Sequence, residues 1–219
     1  YHRPQDQQAL LLDGRKIGPG GVGDTGLGVG EITLMNFHDG QFAISQNLQG
    51  LHRPVHLAII GGEVNGNPED MTEEMARLQK MCDDLFVGGM VVFLGKRGQD
   101  TLPYYYSAAE VVVMPSLYES FGMVALEAMA CGTPVIASEV GGLGYLVQNG
   151  VTGYTIPDSE PDELCDKLSW LLGDAHLRKT MGLRAAEYAL DYAWEKIAMQ
   201  IVDVYGELVE NKRLVVQET

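Results

Sequence analysis

From about residue 54 the chain alternates short, β-branched apolar runs with amphipathic stretches, and few folds accept that alternation. Val55–Ile60, residues 90–94, Val111–Met114 and Val135–Ser138 are such runs, each bounded by glycine or polar residues. Runs this short and this continuously apolar read as strands buried on both faces, which is typical of a parallel sheet. Between them, residues 68–85, 102–109 and 122–131 carry helical spacing. Met71, Met75, Leu78, Cys82 and Leu85 form one stripe, which is core packing rather than a ligand box. The predicted class is α/β: a Rossmann-like parallel sheet with helices on both faces, followed by C-terminal helices.

After Gly142, Asn149-Gly150 and Thr152-Gly153 mark a tight turn before a strand at 154–156. Three helices are expected at 160–172, 175–188 and 193–211, with Trp170, Leu171, Leu172 and Trp194 packing them onto the sheet. In such sheets ligands bind outside the carboxyl ends of the strands. The strand ends in question are Gly61-Gly62, Gly95-Lys96-Arg97, 115–119 and 138–142, and all lie on one edge.

Residues 1–50 do not join this pattern and are read as an atypical, glycine-rich segment, disordered or aberrant, ahead of a domain at 51–219. Gly21-Val-Gly23-Asp-Thr-Gly26 matches the dinucleotide fingerprint, but that fingerprint needs a strand before it and a helix after it. The residues that follow, Leu-Gly-Val-Gly, are poor helix formers. An NAD-dependent oxidoreductase would rest on this segment alone. The start, without Met or a signal pattern, suggests a piece of a longer protein.

Composition narrows the function classes. With 15 Lys and Arg against 30 Asp and Glu, the formal net charge is −15, which argues against general nucleic-acid binding. No run of about 18 apolar residues is present, so no spanning helix is expected. Cys82, Cys131 and Cys165 lack metal-site spacing and read as reduced core thiols, consistent with a cytoplasmic protein, at most peripheral at the inner membrane face.

The chemistry concentrates in residues 115–134, PSLYESFGMVALEAMACGTP, which read as strand end, polar turn and helix. A helix N-terminus offers unpaired N–H groups and the positive end of the dipole, hence an anion site. Glu119 and Glu127 beside it suit a ligand with both phosphate and hydroxyls, since a carboxylate is a pure acceptor. A nucleotide-sugar fits. The rival role for Glu119 is a helix N-cap, and for Glu127 a solvated helix surface.

The run from Val111 to Ser138 resembles the retaining glycosyltransferases of the GT-B fold, in the group 1 branch that includes sucrose-phosphate synthase and the inositol-phosphate glycosyltransferases. The resemblance covers roughly residues 54–210 and implies a C-terminal, donor-binding domain. It implies that Glu119, with the backbone of Ser120, Phe121 and Gly122, contacts the donor sugar. Gly122, Met123 and Val124 would present N–H groups to the diphosphate, Glu127 would accept from the ribose hydroxyls, and Lys96 and Arg97 would lie where the base edge is read or else be solvated loop cations. Gly141 and Gly142 would allow close backbone approach, and Tyr104, Tyr105 and Tyr106 pack on the sheet or flank the base. The only catalytic part assigned to Glu119 is positioning the donor sugar, because the leaving diphosphate serves as the base. His52 and His56 read as packing or solvated. No metal and no cofactor is implied. The nucleotide-sugar, UDP- or GDP-linked, is a co-substrate, and the acceptor is a hydroxyl of a sugar, a sugar phosphate or a lipid-linked group.

The family's N-terminal acceptor domain is absent from the chain. So is an opening strand that ends in Gly-Arg with a Lys-Gly pair beyond it; Gly14-Arg15-Lys16 has the letters in the wrong spacing. Residues 18–50 are therefore expected to come from a frameshift, mis-splice or insertion, and the chain alone to bind weakly and turn over nothing. A non-catalytic binding or scaffold module is the alternative reading. Epimerases and phosphorylases of the same fold are minor ones.

Overall fold

The computed structural model describes residues 31–36, 55–61, 73–158 and 160–217. Among them are six strands: β1 (Glu31–Asn36), β2 (Val55–Ile60), β3 (Val91–Gly95), β4 (Val111–Met114), β5 (Val135–Ser138) and β6 (Gly153–Ile156). They form one sheet in the order β3-β2-β1-β4-β5-β6, with every neighbouring pair parallel. The helices are α1 (Glu73–Asp84), α2 (Leu102–Ala108), α3 (Met123–Ala130), α4 (Leu143–Leu146), α5 (Pro161–Gly173), α6 (Ala175–Ala189) and α7 (Trp194–Gln217).

The strand period of two divides the apolar runs between two cores. Val111 and Val113 of β4 join Leu57, Ile59 and Ile136 against Leu78 and Cys82 of α1 and Leu164, Leu168, Leu171 and Leu172 of α5. Val112 and Met114 point the other way, to Tyr105 and Tyr106 of α2, Ala125, Ala128 and Met129 of α3, and Ala185 and Ala189 of α6. All four β4 side chains are buried, and each valine contributes about 2 kcal/mol by removal from water. The stripe at Met75, Leu78 and Cys82 is core, as expected, while Met71 lies outside the described residues.

Two expectations need correction, and one element went unforeseen. Residues 31–36 are not apart from the sheet: β1 lies at its centre, registering Thr33 with Leu57 on one side and Val111 on the other. Its sequence, EITLMN, mixes polar with apolar residues and so lacks the continuous run that marks a doubly buried strand. A boundary at residue 51 thus separates this strand from its own sheet; residues 1–30 and 37–54, including Gly21–Gly26, lie outside the described residues. Trp194 does not pack on the sheet but is 79% exposed; Leu171 and Leu172 are buried as expected, and Trp170, half exposed, meets the sheet edge-on at Tyr154 of β6, with Lys167 Nζ 4.1 Å from its centroid. Finally, α4 carries no sequence forecast, since four residues are too few to show a helical period.

Candidate functional site

The strand order reverses between β1 and β4: connections run outward to β3 on one side and to β6 on the other. A crevice opens at such a switch point, beyond the carboxyl ends of the strands. The segment leaving β4 lies on its rim and turns into α3 at Gly122, whose φ of +93° is left-handed. The left-handed backbone favours glycine, and a Cβ there would stand 2.6 Å from Leu143 Cδ2, so that side chain would have to shift. The i→i−4 ladder of α3 begins at Leu126 N–H to Gly122 O (3.0 Å), which leaves the N–H groups of Gly122, Met123 and Val124 ahead of it.

A second loop supports the first. Gly142 N–H donates to Glu119 O (2.9 Å). Ideal Cβ atoms on Gly141 and Gly142 would lie 2.0 Å from Glu119 O and 2.5 Å from Phe121 Cα. The close approach expected of these glycines is thus to the backbone of 119–121. Glu119 Oε1 accepts from Phe121 N–H (3.3 Å), which braces the loop one residue before the helix cap; the cap itself, Gly122, receives no side-chain bond. Phe121 N–H is therefore engaged by Glu119, while Ser120 is exposed. The Phe121 ring meets Tyr192 edge-on at 5.9 Å. Tyr192 in turn shares a hydroxyl contact of 3.0 Å with Tyr188, and that bond, followed by burial, pushes its phenol up to about 12.

Glu127 lies half-buried on α3, and the phenol of Tyr106 donates to its Oε2 (3.1 Å). Tyr106 does pack in the core, at 4% exposure, and its carbonyl accepts from Thr133 Oγ1 (2.6 Å). Burial, then the Glu127 charge, raises this phenol far above its ordinary range. The pairing went unseen in the sequence because 21 residues separate the partners. The neighbouring Tyr105 hydroxyl accepts from Arg97 Nε (3.0 Å), whose guanidinium carbon lies 6.0 Å from the same ring's centroid, while Arg97 Nη1 reaches Lys96 O (3.3 Å). Consecutive tyrosines of α2 thus support the cation after β3 and the carboxylate of α3.

The structure brings Glu119, Ser120, Phe121, Gly122, Met123, Val124 and Glu127 together after β4. Lys96 and Arg97 follow β3, three strand spacings away across the sheet, or about 14 Å. His56 lies on β2, and its Nδ1 is buried with no hydrogen-bond partner among the described residues; His52 lies outside them. Among the described residues no cluster of three metal-ligating side chains occurs, and no helix is long and apolar enough to cross a membrane.

Fold and rim together define a Rossmann-like α/β domain of the kind found in GT-B glycosyltransferases. A sequence profile described as "Glycosyl transferases group 1" matches residues 31–188, and the chain belongs to that family. It is 44% identical over 137 residues to a D-inositol 3-phosphate glycosyltransferase from Streptomyces bingchenggensis, covering 63% of this chain and 30% of that relative. The chain therefore spans about a third of that protein's length. Among solved structures, sucrose-phosphate synthase from Thermosynechococcus elongatus matches with a TM-score of 0.68 and 33% identity, covering 83% of this chain and 46% of that one. The C-terminal domain of a group 1 glycosyl transferase from Francisella tularensis shares the fold at 21% identity and a TM-score of 0.59, covering 78% of this chain and 88% of that domain.

Proposed function

We propose that this chain is the donor-binding domain of a retaining glycosyltransferase, acting with an acceptor-binding domain to move a sugar from a UDP- or GDP-linked donor to an acceptor hydroxyl. The observation that carries the reading is Glu127, a carboxylate held by Tyr106 just over one helical turn from the open N-terminus of α3, at the switch point of the sheet. Diphosphate oxygens would accept from the N–H groups of Gly122, Met123 and Val124, favoured by the helix dipole. One turn on, Glu127 would accept from the ribose hydroxyls. Glu119 and the loop at 120–122 would position the donor sugar, with Lys96 and Arg97 at the base. The chain's own work is then orientation and stabilisation of the departing diphosphate, which itself takes the acceptor's proton. No cofactor enters this scheme, and the setting would be the cytoplasm.

The alternative, a binding or scaffold module that keeps the pocket without turnover, is favoured by one observation. β1 ends at Asn36 and continues Phe37-His38-Asp39-Gly40, so the cations expected beside the diphosphate do not follow it. Charge-assisted contacts to phosphate are the strong ones, so their loss weakens binding. Calorimetry with UDP and GDP tests both readings. Glu127→Ala should lower affinity about tenfold or more, the cost of hydrogen bonds to a charged group. Unchanged affinity in a folded Glu127→Ala protein would sink the donor-site reading, and transfer by the isolated chain would sink the module.

A further inference from the structure

We infer that Tyr106 is a positioning residue for nucleotide recognition: its phenol, bonded to Glu127 Oε2 from a fixed place in the core, holds the carboxylate so that the other oxygen is left to accept from a ribose hydroxyl. The inference rests on the reading of Glu127 given above and adds a residue outside the local motif. Glutamate has three rotatable side-chain bonds, and a helix fixes only where they begin. A half-buried carboxylate without a partner would swing toward water. Tyr106 removes that freedom. Its ring is buried at 4% exposure in the core cluster that also holds Ala125, Ala128 and Met129 of α3, so it rotates little. Its carbonyl is pinned by Thr133 Oγ1 at 2.6 Å, in the turn that closes α3. Both ends of the tyrosine are thus tied to the helix that carries Glu127.

The direction of the bond matters as well. A carboxylate can only accept, so the phenol donates, and it continues to donate at any working pH because burial and the Glu127 charge resist its ionisation. Among the described residues this is the hydrogen bond that Glu127 receives, and it engages one oxygen of two. A ribose diol offers donors to the second. Ordering the carboxylate beforehand lowers the entropy that binding would otherwise cost.

The test removes one oxygen atom. Wild type, Tyr106→Phe, Glu127→Gln and the double variant of the full 219-residue chain are titrated by calorimetry with UDP, GDP and ADP and with the 2′-deoxy form of each. Wild type should prefer the ribose form. Tyr106→Phe should shrink that preference by about three- to tenfold, the scale of one net hydrogen bond, while leaving affinity for the deoxy form unchanged. Glu127→Gln should abolish most of the preference, and adding Tyr106→Phe to it should change nothing further. An equal loss for ribose and deoxy forms would make Tyr106 merely structural, and an undiminished preference would deny it any role; either overturns the inference while Glu127 stands. If Glu127→Gln keeps the full preference, or wild type binds none of the nucleotides, the donor-site reading fails and takes this inference with it. Should Tyr106→Phe lose its fold by circular dichroism, Thr133→Val loosens the same tyrosine from its carbonyl end. It should reduce the ribose preference in the same sense, and no reduction would overturn the proposal.

Discussion

A single methyl group at Gly141 should disturb the loop that carries Glu119. Gly141 has φ +46°, a left-handed conformation that costs an alanine about 1–2 kcal/mol. The added Cβ would stand 2.0 Å from Glu119 O, a backbone atom that cannot rotate away. Relief requires the two loops to part by more than about 1 Å, an overpacking cost of roughly 1–3 kcal/mol. Parting also stretches the 2.9 Å bond from Gly142 N–H to Glu119 O, worth about 1 kcal/mol. The sum is roughly 3–6 kcal/mol. Gly150 supplies the control: its φ is +75°, but nothing lies within 4 Å of its ideal Cβ. Gly150→Ala should therefore cost only the backbone term, about 1–2 kcal/mol. For a domain of this size each kcal/mol lowers the melting temperature by about 2–4 °C. Thermal melts by circular dichroism should thus show a drop for Gly141→Ala more than twice that for Gly150→Ala. Nucleotide titration of the folded proteins should show weakened binding for Gly141→Ala alone. Equal drops in melting temperature would refute the contact between the loops, and unaltered affinity in Gly141→Ala would refute its connection to the site.

Arg178 joins three elements: Nη1 donates to Leu171 O (2.7 Å) and Leu172 O (2.9 Å) at the end of α5, while Nη2 lies 3.6 Å from Glu110 Oε1 ahead of β4. Arg178→Met should destabilise by about 2–4 kcal/mol in urea unfolding, because it removes two charge-assisted hydrogen bonds to carbonyls and the cation facing a largely buried carboxylate. Asp174 caps α6, accepting from His176 N–H (2.9 Å) and Leu177 N–H (3.0 Å), and the Leu177 bond is the main cause that holds its carboxyl below the ordinary 3.8. Because the folded value is the lower one, its stabilisation is present above pH 3.8 and disappears as pH falls through the depressed value. Asp174→Ala should therefore melt lower than wild type at neutral pH, and the gap should close in acid.

What could be read from the sequence was local. β4 and β5 fall where their short apolar runs placed them, because a strand buried on both faces must be largely apolar, and that leaves a mark on three or four consecutive residues. The turn and helix after β4 were legible for the same reason: strand end, glycine and helix lie within one short segment. β1 left no such mark, since its place at the centre of the sheet follows from pairing with β2 and β4, segments some 20 to 80 residues further on. Trp194 misled in the opposite sense, because a large aromatic residue on an amphipathic helix suggests core wherever the helix actually packs. The same division runs through the candidate site. The motif names the backbone N–H groups and carboxylates that a ligand would meet, but what holds them comes from elsewhere: Gly141 and Gly142 against Glu119, Tyr192 against Phe121, Tyr106 against Glu127. The supporting residues come from three different segments, and each contact fixes a group that would otherwise be free to turn. A carboxylate or loop N–H contributes to recognition only to the extent that its orientation is settled before the ligand arrives. It follows that substitutions in α2, in the loop after β5 and at Tyr192 should alter nucleotide affinity although none of them lies within the segment that names the site.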